Sequence, residues 1–174
     1  VVGPEQPLVD GLADFLEDKC HAVFGPKKQA AMLEGSKEFA KDFMKRHKIP
    51  TAAYEVFGDD EFDKAAEYIK EKGSYPVVLK ADGLAGGKGV LIPENEEEAF
   101  KALEELKEGS LSDAASRLVI EEFMEGEEAS VFAICDGEHY KVIGNAQDHK
   151  RINEGDTGLN TGGMGAYSPA PLVT

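Results

Sequence analysis

Apolar positions along the chain switch between helical spacing and short continuous runs, the mark of alternating helices and strands. From Glu5 to Lys19, Leu8, Leu12, Phe15 and Leu16 fall on one helical face. Val1 and Val2 before it, and Ala22, Val23 and Phe24 after it, predict short strands ended by Gly3-Pro4 and Gly25-Pro26. Together they read as a strand–helix–strand remnant of an α/β layer. Ser36 stands where a helix cap is needed. Phe39, Ala40, Phe43 and Met44 predict the buried stripe of a helix running through His47 and stopped by Pro50. Thr51 to Phe57 suits a strand, and Asp60 to Lys72 a helix with Phe62, Ala65, Ala66 and Ile69 inward. Asn95 with Glu98 resembles a capping pair for a helix carrying Ala99, Leu103 and Leu106 and stopped near Gly109. Leu118, Val119 and Ile120 predict another strand, and Ala129 to Ile134 with His139 to Ile143 a hairpin across Asp136-Gly137. Beyond Ile143 the chain reads as loop-like and glycine-rich. The fold class is α/β (α+β), without repeats or low-complexity segments.

Between Thr51 and Ile120 one stretch departs from simple patterning. In VVLKADGLAGGKGV, Val77 to Val90, the glycines Gly83, Gly86, Gly87 and Gly89 separate two apolar runs, with Lys80 at the entrance and Lys88 inside. Bare amide groups in a glycine-rich turn form a concave anion site, and the lysines add full charge. The GxxxxGK[ST] pattern would need glycine at 82 and a hydroxyl at 89, where Asp82 and Gly89 stand, and no GxGxxG occurs. Val90, Leu91 and Ile92 follow as a strand. The glycines therefore close a strand–loop–strand hairpin, either a flap over polyphosphate or a plain long turn.

Charge sharpens the picture. The 174 residues hold 19 basic and 34 acidic side chains, a net charge of −15, which argues against nucleic acid or an anionic membrane as partner. Lys80 with Lys88, and Lys150 with Arg151, stand out against that background as local basic spots. Cys20 and Cys135 are far apart, and His21, His47, His139 and His149 are scattered, so no zinc pattern is present. No run approaches the ~18 apolar residues of a membrane helix, and a cytoplasmic protein is the expectation. Neither end carries an initiating or closing element, which reads as an internal piece of a longer protein.

Two further constellations carry candidate chemistry. In EEFMEGEEAS, Glu121 to Ser130, a carboxylate at a strand end precedes an aromatic, a methionine and a second acid seven residues on. Glu121 can accept from an adenine amino group, the backbone at Phe123 and Met124 can pair with the ring edge, and Glu128 can accept from ribose hydroxyls. An acidic exposed loop with Phe123 and Met124 in the core is the plainer alternative. In QDHKR, Gln147 to Arg151, and the glycine-rich stretch Gly155 to Pro171, Gly162, Gly163 and Gly165 offer a second amide nest. Arg151 offers a bidentate fork for carboxylate or phosphate, while Asp148 and Asp156 can orient these cations or bind an amine. The alternative there is an ordered surface Ω-loop. His149 has no evident catalytic role, and Lys37 by pattern is a solvated lysine on an amphipathic helix.

The strings VVGPEQPLVDGL, LEGSKEFAKDFM, HKIPTA, LKADGLAGGKGV, IEEFMEGEEAS, QDHKR and NTGGMGAYSPAP, in this order, resemble the ATP-grasp ligases. Within them, the chain is similar to the phosphoribosylamine–glycine ligase (glycinamide ribonucleotide synthetase) family of purine biosynthesis. Leu159 and Gly87 depart from that family's usual proline and alanine. The resemblance implies an ATP-grasp lid subdomain and part of a large subdomain after the tail of a Rossmann-like N-terminal domain. Residues 1–26 would be that tail, 27–50 a helical linker, 51–122 the lid subdomain and 123–174 the start of the large subdomain.

It also implies a ligase that joins glycine to 5-phosphoribosylamine through a glycyl phosphate and splits ATP to ADP and phosphate. Lys37 and Lys80 would hold the phosphate chain, and Gly83, Gly86, Gly87, Lys88 and Gly89 would cover it. Glu121, Glu122, Phe123, Met124 and Glu128 would clasp the nucleoside. Asp148, Lys150, Arg151, Asn160, Thr161, Gly162, Gly163, Met164 and Gly165 would form the substrate wall. Lys88, Arg151 and Asp148 are the candidate catalytic groups. Magnesium or manganese would take its ligands outside this segment, which alone would be inactive; the whole would be a monomer or homodimer. Another ATP-grasp carboxylate–amine ligase, or a non-catalytic ATP-binding module, are the competing readings.

Overall fold

The computed structural model describes residues 1–82, 89–107, 117–155 and 157–173, with backbone alone at 159 and 160. Contacts gather into two units, Val1–Phe123 and Met124–Thr174. No helix among the described residues is long and apolar enough to cross a membrane.

The first unit opens with α1 (Glu5–Val9), α2 (Leu12–Asp18), α3 (Lys28–Gly35) and α4 (Lys37–His47). The single helix expected from Glu5 to Lys19 breaks at Asp10-Gly11, where Gly11 takes φ +98°. Glycine enters that left-handed region without a Cβ clash. Leu8, Ala13 and Ala31 make a small core here, while Phe15 stays exposed. The strands expected at Val1–Val2 and Ala22–Phe24 do not form. Those segments share one backbone hydrogen bond, from Val2 N to Phe24 O at 3.4 Å, which is no ladder. Helix α3 escapes the sequence pattern because Ala30, Ala31, Met32 and Leu33 run consecutively instead of at helical spacing.

Ser36 caps α4 as expected, its hydroxyl accepting from Phe39 N at 3.1 Å. The expected stripe of Phe39, Ala40, Phe43 and Met44 is only half-buried, however. The buried residue of α4 is Lys41, 6% exposed.

Next come β1 (Tyr54–Gly58), α5 (Phe62–Lys72), β2 (Val77–Ala81), β3 (Val90–Leu91), α6 (Glu96–Lys107) and β4 (Arg117–Glu122). The strands pair antiparallel in the order β1-β4-β2-β3. Asn95 Oδ1 accepts from Glu98 N at 2.9 Å and starts α6, with Glu98 reaching back to Glu94 N at 3.0 Å. Ala65 and Ile69 of α5, and Ala99, Leu103 and Leu106 of α6, meet Leu79, Leu118 and Ile120 in one core. Side chains alternate across a strand. The same period that sends Leu79 and Ile120 into this core therefore sends Lys80 and Glu121 to the opposite face of the sheet. The site rests on that alternation.

In the second unit, β5 (Ser130–Cys135), β6 (Tyr140–Asn153) and β7 (Thr157–Tyr167) pair antiparallel in that order. Asp136 Oδ1 accepts from Glu138 N and His139 N at 2.9 and 2.7 Å, and Gly137 takes φ +99°, which closes the β5–β6 hairpin where Asp136-Gly137 predicts it. The C-terminal stretch is not a loop. Most of it is strand, because a backbone ladder needs no side chain and glycine supplies one as well as any residue. Its glycines leave another mark: between the pairs His149↔Gly165 and Arg151↔Asn160, β6 advances two residues and β7 five. Three extra residues bulge out of β7 around Gly162 and Gly163.

Leu79 is fully buried at the centre of the first sheet. Leu79→Ala should lower unfolding free energy by about 2–5 kcal/mol, read as a shifted urea midpoint at unchanged slope.

Candidate functional site

Glu121 ends β4 with its side chain 5% exposed, and Oε2 lies 2.9 Å from Lys41 Nζ and 3.0 Å from Lys80 Nζ. Its other oxygen, Oε1, is buried with no hydrogen-bond partner among the described residues. An unmade hydrogen bond on a buried carboxylate is costly, and the chemistry it fits is an incoming N–H donor. Strand pairing sets the geometry. Glu121 stands opposite Tyr54 on one side and Val78 on the other, with Lys80 one step along the same face.

Lys37 starts α4 beside this group. Asp82, at the end of the Lys80 strand, accepts from Lys37 N at 2.6 Å, from Glu38 N at 3.4 Å and from Ser36 Oγ at 3.0 Å. One carboxylate from the sheet thus satisfies amides that a helix start leaves without intrahelical partners. Burial lowers the Lys37 pKa from its ordinary 10.5; Asp82 opposes the shift and Lys80 adds to it. Three ammonium groups, Lys37, Lys41 and Lys80, stand against the carboxylates of Asp82 and Glu121, and Glu34 also acts on Lys37. Partly buried ammonium groups beside a buried oxygen with no described partner suit a ligand carrying both an anion and an N–H group.

Glu122, predicted to bind nucleotide, has its carboxylate engaged by Ala53 N at 2.9 Å, and its own amide donates to Ala53 O at 2.9 Å. Phe123 is half-buried. Gly83, Gly86, Gly87 and Lys88 lie outside the described residues. Gly89 directly precedes the return strand β3, its carbonyl accepting from Ala81 N at 2.9 Å. A separate concavity of about 500 Å³ in this unit is lined by Glu38, Val56, Gly58, Asp59, Asp60, Glu61 and Arg117. Its acidic walls make it a poor receptacle for phosphates.

In the second unit Glu128, Lys150 and Asp148 come together. Lys150 Nζ pairs with Glu128 Oε1 and lies 3.8 Å from Asp148 Oδ2. The hydrogen bond to Glu128 raises the Lys150 pKa, against a smaller opposing effect of burial. Arg151 Nη1 donates to Gly158 O at 2.7 Å. Thr161 ties the bulge to this cluster: its hydroxyl donates to Lys150 O at 2.9 Å and accepts from Gly163 N at 3.1 Å. Gly162, Met164 and Gly165 are exposed on the bulged strand, and Met124 is exposed at the unit's start. The side chains of Asp156 and Asn160 lie outside the described residues.

Sequence profiles of one family account for the chain end to end. The profile described as phosphoribosylglycinamide synthetase, N domain, matches residues 1–34, and that of the ATP-grasp (A) domain residues 35–174. The chain belongs to the phosphoribosylglycinamide synthetase family. It is 53% identical over 175 residues to the phosphoribosylamine–glycine ligase of Haemophilus influenzae, covering 100% of this chain and 40% of that protein. The crystal structure of phosphoribosylamine–glycine ligase from Thermotoga maritima superposes with a TM-score of 0.73 at 40% identity, over 85% of this chain and 37% of that one. A biotin carboxylase domain from Hydrogenobacter thermophilus, solved with MgADP and bicarbonate, superposes at TM-score 0.64 and 27% identity, over 80% of this chain and 31% of that one. The fold is therefore an α+β ATP-grasp fold, and the chain spans about 40% of the length of the curated ligases it matches.

Sequence reasoning missed Lys41, Asp82 and Thr51. The available signal was spacing: Lys41 is four residues after Lys37 and three before Met44, hence on one face with both.

The lowered Lys37 pKa has a measurable consequence. The folded chain binds fewer protons than the unfolded one between the folded value and 10.5, so this residue's contribution to stability rises as pH climbs through that window. Acetylation of Lys37, followed by mass spectrometry across pH, should show a midpoint below that of Lys27, whose pKa a hydrogen bond to Glu17 raises. Coincident midpoints would remove the shift.

Proposed function

We propose that the full-length protein is an ATP-dependent ligase that joins glycine to 5-phosphoribosylamine, with release of ADP and phosphate. The observation that carries the nucleotide half is the buried Oε1 of Glu121, which has no hydrogen-bond partner among the described residues, beside the Lys41 and Lys80 ammonium groups. The 6-amino group of adenine supplies the missing donor, and Lys80 and Lys37 face the phosphates. For Glu128 the family resemblance implies the ribose-acceptor role, and one of its oxygens is already held by Lys150.

A carboxylate is a poor acyl donor, and phosphorylation gives it a leaving group. Attack by the glycine carboxylate on the γ-phosphorus forms a glycyl phosphate and releases ADP. The sugar amine then attacks the acyl carbon, phosphate leaves, and the amine loses a proton. The protein's task is to align the reactants and neutralise charge. Asp148, Lys150 and Arg151, with the bulge at Thr161–Gly165, form the substrate side. Mg or Mn accompanying the triphosphate would take its ligands outside this segment, as the family resemblance implies. The relatives' names and the order of matched strings support glycine and phosphoribosylamine over another acid and amine.

Purified full-length protein should release ADP only when glycine and phosphoribosylamine are both present. Release indifferent to both would overturn the substrates, and nucleotide binding without turnover would favour a non-catalytic module. Lys80→Ala and Glu128→Ala should each weaken ATP binding about tenfold or more, followed by calorimetric titration. Arg151→Ala should raise the KM for a substrate and leave ATP affinity near wild type. A pure ATP-binding defect there would reassign Arg151.

A further inference from the structure

Lys41 is the most enclosed cation described in the chain, and nothing about its ordinary pattern calls for burial. Its side chain is 8% exposed, and Nζ meets three acceptors: Thr51 Oγ1 at 2.8 Å, Glu121 Oε2 at 2.9 Å and Ala52 O at 3.4 Å. An ammonium group has three N–H donors, so Lys41 has none to offer a ligand. Lys80 differs: it is 27% exposed, and Glu121 is its ion-pair partner among the described residues.

We propose that Lys41 is a positioning residue for nucleotide binding, a fixed counter-charge that holds Glu121 in place and leaves Lys80 free to turn to a phosphate chain. The proposal rests on the ATP reading above. With Lys41 present, Glu121 Oε2 stays neutralised when Lys80 moves, and Oε1 keeps its aim. Without Lys41, Lys80 is the one ion-pair partner of the buried carboxylate among the described residues, and each phosphate contact made by Lys80 would strip Glu121 of that partner. Thr51 and the Ala52 carbonyl complete the device by taking the other two donors of Lys41.

The test is a double-mutant cycle on ATP affinity in the full-length protein, using a non-hydrolysable ATP analogue as probe, with the thermal midpoint recorded for every variant. Lys41→Met should lower affinity about tenfold, and by a clearly larger factor in a Lys80→Ala background, where Lys41 is the one ion-pair partner of Glu121 left among the described residues. A merely structural lysine would lower the thermal midpoint and cost the same affinity in both backgrounds; that outcome overturns the proposal, as does a Lys41→Met protein binding like wild type. If Lys41→Met does not fold, Thr51→Val removes one lock and leaves all three charges. It should weaken binding severalfold in the wild-type background and by a larger factor in Lys80→Ala; equal losses in both overturn the proposal. A wild-type protein that binds no analogue would sink the nucleotide reading itself, a result distinct from these.

Discussion

One buried carboxylate organises the first unit. Taking Glu121 out of water costs several kcal/mol unless cations and donors replace the lost hydration. The chain meets that cost with two lysines from different elements, Lys41 from α4 and Lys80 from β2, both on the same oxygen. Such an arrangement is over-supplied with positive charge and under-supplied with donors at Oε1. A core built for stability alone would do neither, since a buried pair is seldom better than packed apolar side chains. The imbalance is what a ligand would correct.

The rest of the unit keeps that imbalance in register. Helices α5 and α6 cover one face of the sheet with Ala65, Ile69, Ala99, Leu103 and Leu106, which leaves the other face for charged groups. Because strands alternate, a core that fixes Leu79 and Ile120 also fixes Lys80 and Glu121 one residue away. Asp82 extends the same logic past the strand end. By capping α4 it couples the sheet to the helix that bears Lys37 and Lys41. Helix α4 and strands β2 and β4 position the lysines and Glu121, and Asp82 stands one residue past the end of β2.

Much of this was legible in the letters. Helix α6 and its Asn95–Glu98 cap, α5, and the central strands were readable because apolar spacing, turn residues and caps agreed there. Glu121 and Lys80 stood out as charges bordering apolar runs. The break at Gly11 was hidden, since a sequence shows a glycine but not its φ. The glycine-rich C-terminal stretch misled for a related reason: glycine marks turns and bulges alike, and only strand pairing tells them apart. Lys41 was hidden most deeply, because a lysine on an amphipathic helix is ordinarily solvated. Its burial depends on Thr51 and Glu121, which lie 10 and 80 residues further along the chain. The pairing of Lys150 with Glu128 was likewise invisible, although both residues had been singled out separately.

The overall charge gives these local contacts their weight. At −15 the chain repels anions at long range, and salt screens such fields beyond about 8 Å at physiological ionic strength. An anionic ligand is therefore not drawn in by the protein's general field. It must be held by close ammonium groups whose low-dielectric surroundings strengthen each contact. Those same surroundings make a misplaced charge expensive. A cluster with close ammonium groups, an acceptor without a described partner and fixed counter-charges would meet both conditions: it would hold a polyanion at short range and discriminate by whether the ligand also brings a donor to Glu121. Neither a bare polyphosphate nor a neutral nucleoside satisfies both halves.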